Sequence, residues 1–349
     1  MCMHAGRGTR VGLVLTAALV LGAEKPRPEQ AAPNKTPPPA ANYKMSGPYT
    51  HENLTIYLIH GDDQLKGKTF LTLSEALQQK KVIVHETQNV NQLAIENVSP
   101  TEEVFVLSGD IVKGGKQDRI IAYDLIVPAK SGRMPLAAFC CENGRWTRRG
   151  SESPAAFASA ARNTGTKDLK IAVRKDMAQD KVWENVGKAQ QQLGENLKTM
   201  VRDARSVSSL QLTLENKKVQ EATDAYVNKL QSIVDNKDDV IGYAFAVNGV
   251  MSSADVFASH GLFKKLWPTL LASTAVEAVA EQKKDLKVKP VTVEIVTAFL
   301  ADAEKGKQTG KEVTKRVRIV EQETKDNLLF RCTDDKNPGV DLRRNYLKK

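Results

Sequence analysis

The chain has 349 residues, a formal net charge of +10 and a hydrophobic content of 41%. Such a chain is long and apolar enough to bury a sizeable core, which excludes a wholly disordered or fibrous protein. Its excess positive charge is scattered among acids, which excludes a concentrated nucleic-acid footprint and leaves only Arg343-Arg344 and Lys348-Lys349 as a basic cluster.

Arg7 and Arg10 precede an uncharged apolar run from Val11 to Leu21 that ends at Gly22-Ala23. A basic start, a short apolar centre and a small residue at the cut predict a signal peptide over residues 1–23. The run is short for a membrane span, which needs about 20 apolar residues. The expected product is exported, to a periplasm or beyond, with no transmembrane segment after processing. Residues 24–48 carry Pro26, Pro28, Pro33 and Pro37-Pro38-Pro39 among Ala, Lys and Glu, the composition of a disordered tether.

Residues 49–349 are expected to form a single domain. Its sections are β-rich over 49–146, helical over 151–236 and mixed over 240–349. Leu54–Ile59 reads as a strand. Thr72 and Glu75 have the spacing of a capping box at the start of a short helix from Leu73. Val82–Val84, Leu93–Ile95, Val104–Leu107, Ile120–Tyr123 and Leu125–Val127 are further short apolar runs, with Ser108-Gly109-Asp110 and Gly114-Gly115 as turns. This succession predicts an antiparallel sandwich or barrel-like sheet.

Val182, Val186, Ala189, Leu193, Leu197 and Met200 then recur at helical spacing, as do Val219, Ala222, Tyr226, Leu230 and Ile233. These stripes predict amphipathic helices covering the sheet, so the fold class is α+β. Asn248-Gly249 between Val240–Val247 and Val250-Met251 predicts a hairpin, since both residues tolerate positive φ. A helix is expected from Gly261 to about Glu281, with Pro268 kinking or restarting it. Another spans Val293 to Glu304, and strands close the chain at Val317–Val320 and Leu328–Cys332.

Two turn-borne runs carry the candidate chemistry, Gly114–Arg119 and Glu142–Trp146. Asp118 and Glu142 have the character of an acid–base pair. Lys116, Arg119 and Arg145 are suited to phosphate or carboxylate, arginine through a bidentate fork. Gln117 stands beside them, and Trp146 offers a face for a base or sugar. A purely structural alternative pairs Asp118 with Arg119 and Glu142 with Arg145 to pin the turns, leaving Trp146 to the core.

Histidines without metal-ligand spacing and cysteines without a Cys-x-x-Cys pattern give no metal site, and no cofactor is expected. Cys140 or Cys141 bridging to Cys332 and three buried free thiols both stay open.

Leu73–Leu77, Gly114–Arg119, Glu142–Trp146, Val182-Trp183 and Ala254–Phe257 stand in one characteristic order. In this the chain resembles the ARG and rhodanese-phosphatase superfamily-associated protein domain, where ARG abbreviates ADP-ribosylglycohydrolase. The resemblance covers nearly all of the folded region. It implies a connection with ADP-ribose or phosphate-containing metabolites and implies no catalytic residues. At Asp341–Tyr346 the chain departs from it, lacking the histidine expected before the arginine.

Two functions therefore stand open. One is an exported, non-catalytic binding domain recognising a small anionic ligand through Gln117, Asp118, Arg119, Glu142, Arg145 and Trp146. The other is a hydrolase of ADP-ribose-type or other phosphate esters with Asp118 or Glu142 as general base.

Overall fold

The computed structural model describes residues 43–349 except 146, 148, 150–155, 161, 284–285 and 287–288. The expected leader and most of the tether lie outside the described residues. Among those residues no helix is long and apolar enough to cross a membrane.

The chain opens on a hairpin, β1 (Lys44–His51) and β2 (Leu54–His60). Strand β1 begins ahead of the boundary expected at residue 49. A β-rich section follows with β3 (Leu71–Thr72), helix α1 (Leu73–Gln78), β4 (Val82–Asn89), β5 (Gln92–Asn97), β6 (Val104–Val106), β7 (Ile111–Gly114), β8 (Arg119–Ile121), β9 (Leu125–Val127), β10 (Arg133–Cys140) and β11 (Phe157–Ser159). The middle is helical. It comprises α2 (Lys167–Ile171) running into a π-helical turn at Ala172–Asp176, then α3 (Gln179–Leu197), α4 (Leu210–Leu214) and α5 (Lys217–Leu230). The hairpin β12 (Val240–Val247) and β13 (Val250–Phe257) leads to α6 (His260–Ala280) and α7 (Val293–Ala303). The chain ends in β14 (Lys307–Glu312), β15 (Val317–Glu323), β16 (Asn327–Asp334) and β17 (Asp341–Lys348).

The fold is α+β with mostly antiparallel sheets, as the alternation of short strands and amphipathic helices predicts. Eight strands form one sheet in the order β1-β2-β12-β13-β17-β16-β15-β14. Six form a second in the order β11-β7-β8-β10-β5-β4, and β3-β6-β9 a third. The end strands β11 and β4 lie against each other, so the second sheet is nearly closed into a barrel. Val84, Leu93, Ile95, Val106, Ile121, Leu136 and Phe157 fill its interior.

Strand β2 shows how the sequence reaches two cores at once. Leu54, Ile56 and Leu58 face the central core, while Tyr57 and Ile59 face a second core under α7. Alternate side chains of a strand point to opposite faces, so a sheet buried on both sides reads as an unbroken apolar run. The central core joins the eight-stranded sheet to Phe105, Ile111 and Ile120 of the barrel region and to α3, α5 and α6.

Local signals act as their chemistry requires. Thr72 accepts from the Glu75 N–H at 3.2 Å and Glu75 accepts from the Thr72 N–H at 2.8 Å, a closed capping box. Asn248 and Gly249 take φ of 52° and 76° in the β12–β13 turn. Met200 departs from its predicted stripe and is 82% exposed, because α3 stops at Leu197 and Lys198 turns left-handed with φ of 50°. Helix α6 continues through Pro268 as one element, so the chain does not restart there. The three described cysteines are buried and free.

Candidate functional site

The two turn-borne runs meet. Asp118 lies between β7 and β8, and its Oδ1 accepts from the Gly114 N–H at 2.9 Å. Glu142 follows β10, and its backbone carbonyl accepts from Gln117 Nε2 at 3.2 Å and from Trp183 Nε1 of α3 at 3.1 Å. The arginine that joins the two carboxylates is Arg149. Its Nη1 reaches Asp118 Oδ2 at 3.0 Å, Glu142 Oε1 at 2.7 Å and Ser209 Oγ at 3.2 Å. Arg145 adds a bond from Nε to Glu142 Oε2 at 2.5 Å and approaches Asp118 at 3.8 Å.

Gln117, Asp118, Glu142 and Arg145 are thus brought together. Arg119 is directed elsewhere, its Nη1 donating to the Gln117 carbonyl at 2.9 Å and its Nη2 lying 3.6 Å from Glu86. The predicted Asp118–Arg119 pair is replaced by Asp118–Arg149. Adjacent residues in and beside an extended strand point to opposite faces, which separates Arg119 from its neighbour. Trp146 lies outside the described residues.

Asp118 and Glu142 are fully buried. Burial, followed by the charge of Glu142, pushes the Asp118 carboxyl up to about 6 against the opposing pull of Arg149. Two carboxylates and two guanidinium groups leave this cluster internally neutral. Beside it runs a groove of about 610 Å³ lined by Gly114, Phe157, Leu214, Lys113, Arg162 and Glu215, among others. Its cations are also paired, Lys113 with Glu215 at 2.5 Å and Arg162 with Asp224 at 2.6 Å.

A second polar centre lies where barrel, helices and eight-stranded sheet converge. Asp124, just before β9, accepts from the Ser108 N–H at 2.7 Å and from Arg343 Nη1 of β17 at 2.7 Å. Its other oxygen accepts from Arg174 Nη2 of the π-helical turn at 3.2 Å. Arg343 also donates through Nε to Asp255 of β13 at 2.9 Å, and Asn345 Nδ2 donates to the same Asp255 oxygen at 2.9 Å. Arg174 Nη1 donates to Asn345 Oδ1 at 2.9 Å. Arg343 and Arg344 look like a surface basic cluster in sequence, but both are buried and ion-paired, Arg344 with Asp341 at 2.8 Å.

Arg174, Asp255, Arg343 and Asn345 line a pocket together with Lys170, Asn163, Ser108, Thr164, Ser273 and Tyr243, among others. Its free space for the centres of water-sized molecules is about 30 Å³. A water needs about 10–15 Å³ by that measure, so the pocket takes two or three waters or one oxyanion-sized group.

The charges here are unevenly compensated. Burial opposes ionisation of Asp124, yet Arg343 and Arg174 outweigh it and hold the carboxyl below its usual range. Burial likewise opposes the charge of Arg343, and Asp124 and Asp255 overcome it. Arg174 goes the other way. Burial lowers its pKa, Arg343 adds repulsion, and Asp124 does not restore it. Arg174 Nε is buried with no hydrogen-bond partner among the described residues. The Lys170 ammonium reaches Glu277 Oε2 at 3.5 Å.

Sequence reasoning missed this centre. Asp255 stands in the Ala254–Phe257 run and Arg343 in the Asp341–Tyr346 run, but neither carries a chemical signature of its own. Arg174 carries no sequence signal, because its placement depends on the π-helical turn.

No group of three or more His, Cys, Asp or Glu among the described residues is placed to hold a metal ion. A family model matches residues 42–337, that of the ARG and Rhodanese-Phosphatase-superfamily-associated Protein domain. Neither a curated protein nor a solved structure matches the chain.

Proposed function

The chain belongs to this family, and we propose that it is a binding domain for a small anionic ligand, held in the central pocket by Arg174, Lys170 and Arg343 without being turned over there. The observation that carries this reading is the buried Arg174 Nε–H, which has no acceptor among the described residues and belongs to a guanidinium whose pKa burial lowers. An unpaired buried donor costs on the order of 1–3 kcal/mol, more when charged, and an oxyanion would remove that cost.

The size of the pocket selects an end group, such as a phosphate or carboxylate of a larger metabolite. The family's description suggests ADP-ribose-related metabolites, and among these ribose 5-phosphate, which ends in a phosphate monoester, is the first candidate, since the diphosphate of ADP-ribose is internal. The turn-borne cluster of Asp118, Glu142, Arg145 and Arg149 supports this reading less, since its charges already satisfy one another. Export remains part of the proposal and rests on Arg7, Arg10 and the apolar run that follows.

Inorganic phosphate and ribose 5-phosphate should each raise the melting temperature above that in chloride at equal ionic strength. Ligand at a hundred times its Kd adds about 2.7 kcal/mol of stability, a shift of several degrees. Lys170→Gln should reduce the shift. Equal melting temperatures in phosphate, ribose 5-phosphate and chloride would reject the proposal.

A further inference from the structure

A different constellation stands on strands β1, β2 and the approach to β12. Lys44 of β1 and Val240 of β12 both lie opposite His60, the last residue of β2. Ser46 is two residues beyond Lys44, so strand alternation brings it to the face that His60 occupies. Asp239 immediately precedes Val240 and is fixed by its carbonyl, which accepts from the Gly61 N–H at 2.9 Å.

Ser46 Oγ lies 2.7 Å from His60 Nε2, and His60 Nδ1 lies 2.8 Å from Asp239 Oδ1. A proton on Nδ1 donated to Asp239 leaves the Nε2 lone pair to accept from the serine hydroxyl. The bond to His60 in turn holds the Asp239 carboxyl below its usual range. The Tyr49 hydroxyl donates to Ser46 Oγ at 3.4 Å, beside the atom that would react. Nucleophile, base, orienting carboxylate and a neighbouring donor are the parts that acyl transfer requires.

We propose that Ser46, His60 and Asp239 form a nucleophilic triad that hydrolyses small carboxylic esters, with the Tyr49 hydroxyl donating to the developing oxyanion. Ser46 Oγ bonds to the acyl carbon as its proton passes to His60 Nε2 and the carbonyl electron pair moves onto oxygen. The oxyanion collapses, the carbon–oxygen bond to the leaving alcohol breaks, and that alcohol takes the proton from His60. Water then attacks the acyl-serine, giving its proton to His60, and the carboxylic acid leaves as Ser46 regains its hydroxyl. Asp239 is 58% exposed and Ser46 only half-buried, an open site that suits small activated esters. The inference is independent of ligand binding in the central pocket.

The test treats the full chain with a fluorophosphonate, locates the adduct by peptide mass spectrometry and follows turnover of p-nitrophenyl acetate. One phosphonyl adduct on Ser46 is expected, absent from Ser46→Ala and formed at least tenfold more slowly in His60→Gln. Asp239→Asn and Tyr49→Phe should slow labelling while leaving the melting temperature near that of the parent. No adduct on the parent, or equal labelling of Ser46→Ala or His60→Gln, would overturn the proposal.

Discussion

Arg149→Met should destabilise the fold by about 3–5 kcal/mol at neutral pH, the cost of leaving buried charges uncompensated. Arg149 bonds both Asp118 and Glu142, and both carboxylates are fully buried. Methionine fills much of the space and supplies no charge, so the loss reports the ion pairs more than a cavity. Acid should soften it. The Asp118 carboxyl is raised from 3.8 to about 6, so between those values the folded state keeps a proton that the unfolded chain has released. Its contribution to stability is therefore greatest below that window and falls as pH rises through it. Without Arg149 the carboxyl is pushed further up, and the deficit should widen from pH 5 to pH 8. Urea unfolding of both proteins at the two pH values measures this. A loss below 1 kcal/mol, or one independent of pH, would show that Arg149 is not the clamp.

Arg343→Met should cost a similar amount, about 3–5 kcal/mol, for a different reason. Arg343 of β17 joins Asp124, next to the barrel region, to Asp255 within its own sheet. Its removal leaves Asp255 with Asn345 and Asp124 with Arg174 and the Ser108 N–H. The lost bonds connect separate layers, so the urea midpoint should fall while the slope of the transition stays constant. An unchanged midpoint would mean that Arg343 contributes little to holding barrel and sheet together.

Much of the fold is legible in the sequence because its local signals agree with the tertiary packing. The Thr72–Glu75 capping box, the Asn248-Gly249 turn and the stripe from Val182 to Leu193 each name an element that forms. Met200 is less legible, since a left-handed stop at Lys198 decides it, and Pro268 sits at an exposed position of a helix that runs on past it. Asp118 and Glu142, each near a turn glycine, come together in one cluster. The sequence does not reveal that Arg149, rather than Arg119, lies between them, because that depends on the path of the chain after β10. The central pocket is the least legible part. Asp124, Arg174, Asp255 and Arg343 are far apart in the chain, and only the convergence of barrel, π-helical turn and sheet makes them neighbours.

The most direct test of the central claim is calorimetric titration of the intact protein with inorganic phosphate, repeated on Arg174→Lys. Lysine keeps the charge but loses the guanidinium Nε–H that has no acceptor among the described residues. The parent should give saturable heat at one site, and Arg174→Lys, folded by its melting temperature, should bind at least tenfold more weakly. No saturable heat from the parent, or undiminished affinity in Arg174→Lys, would contradict the assignment of the pocket as an anion site.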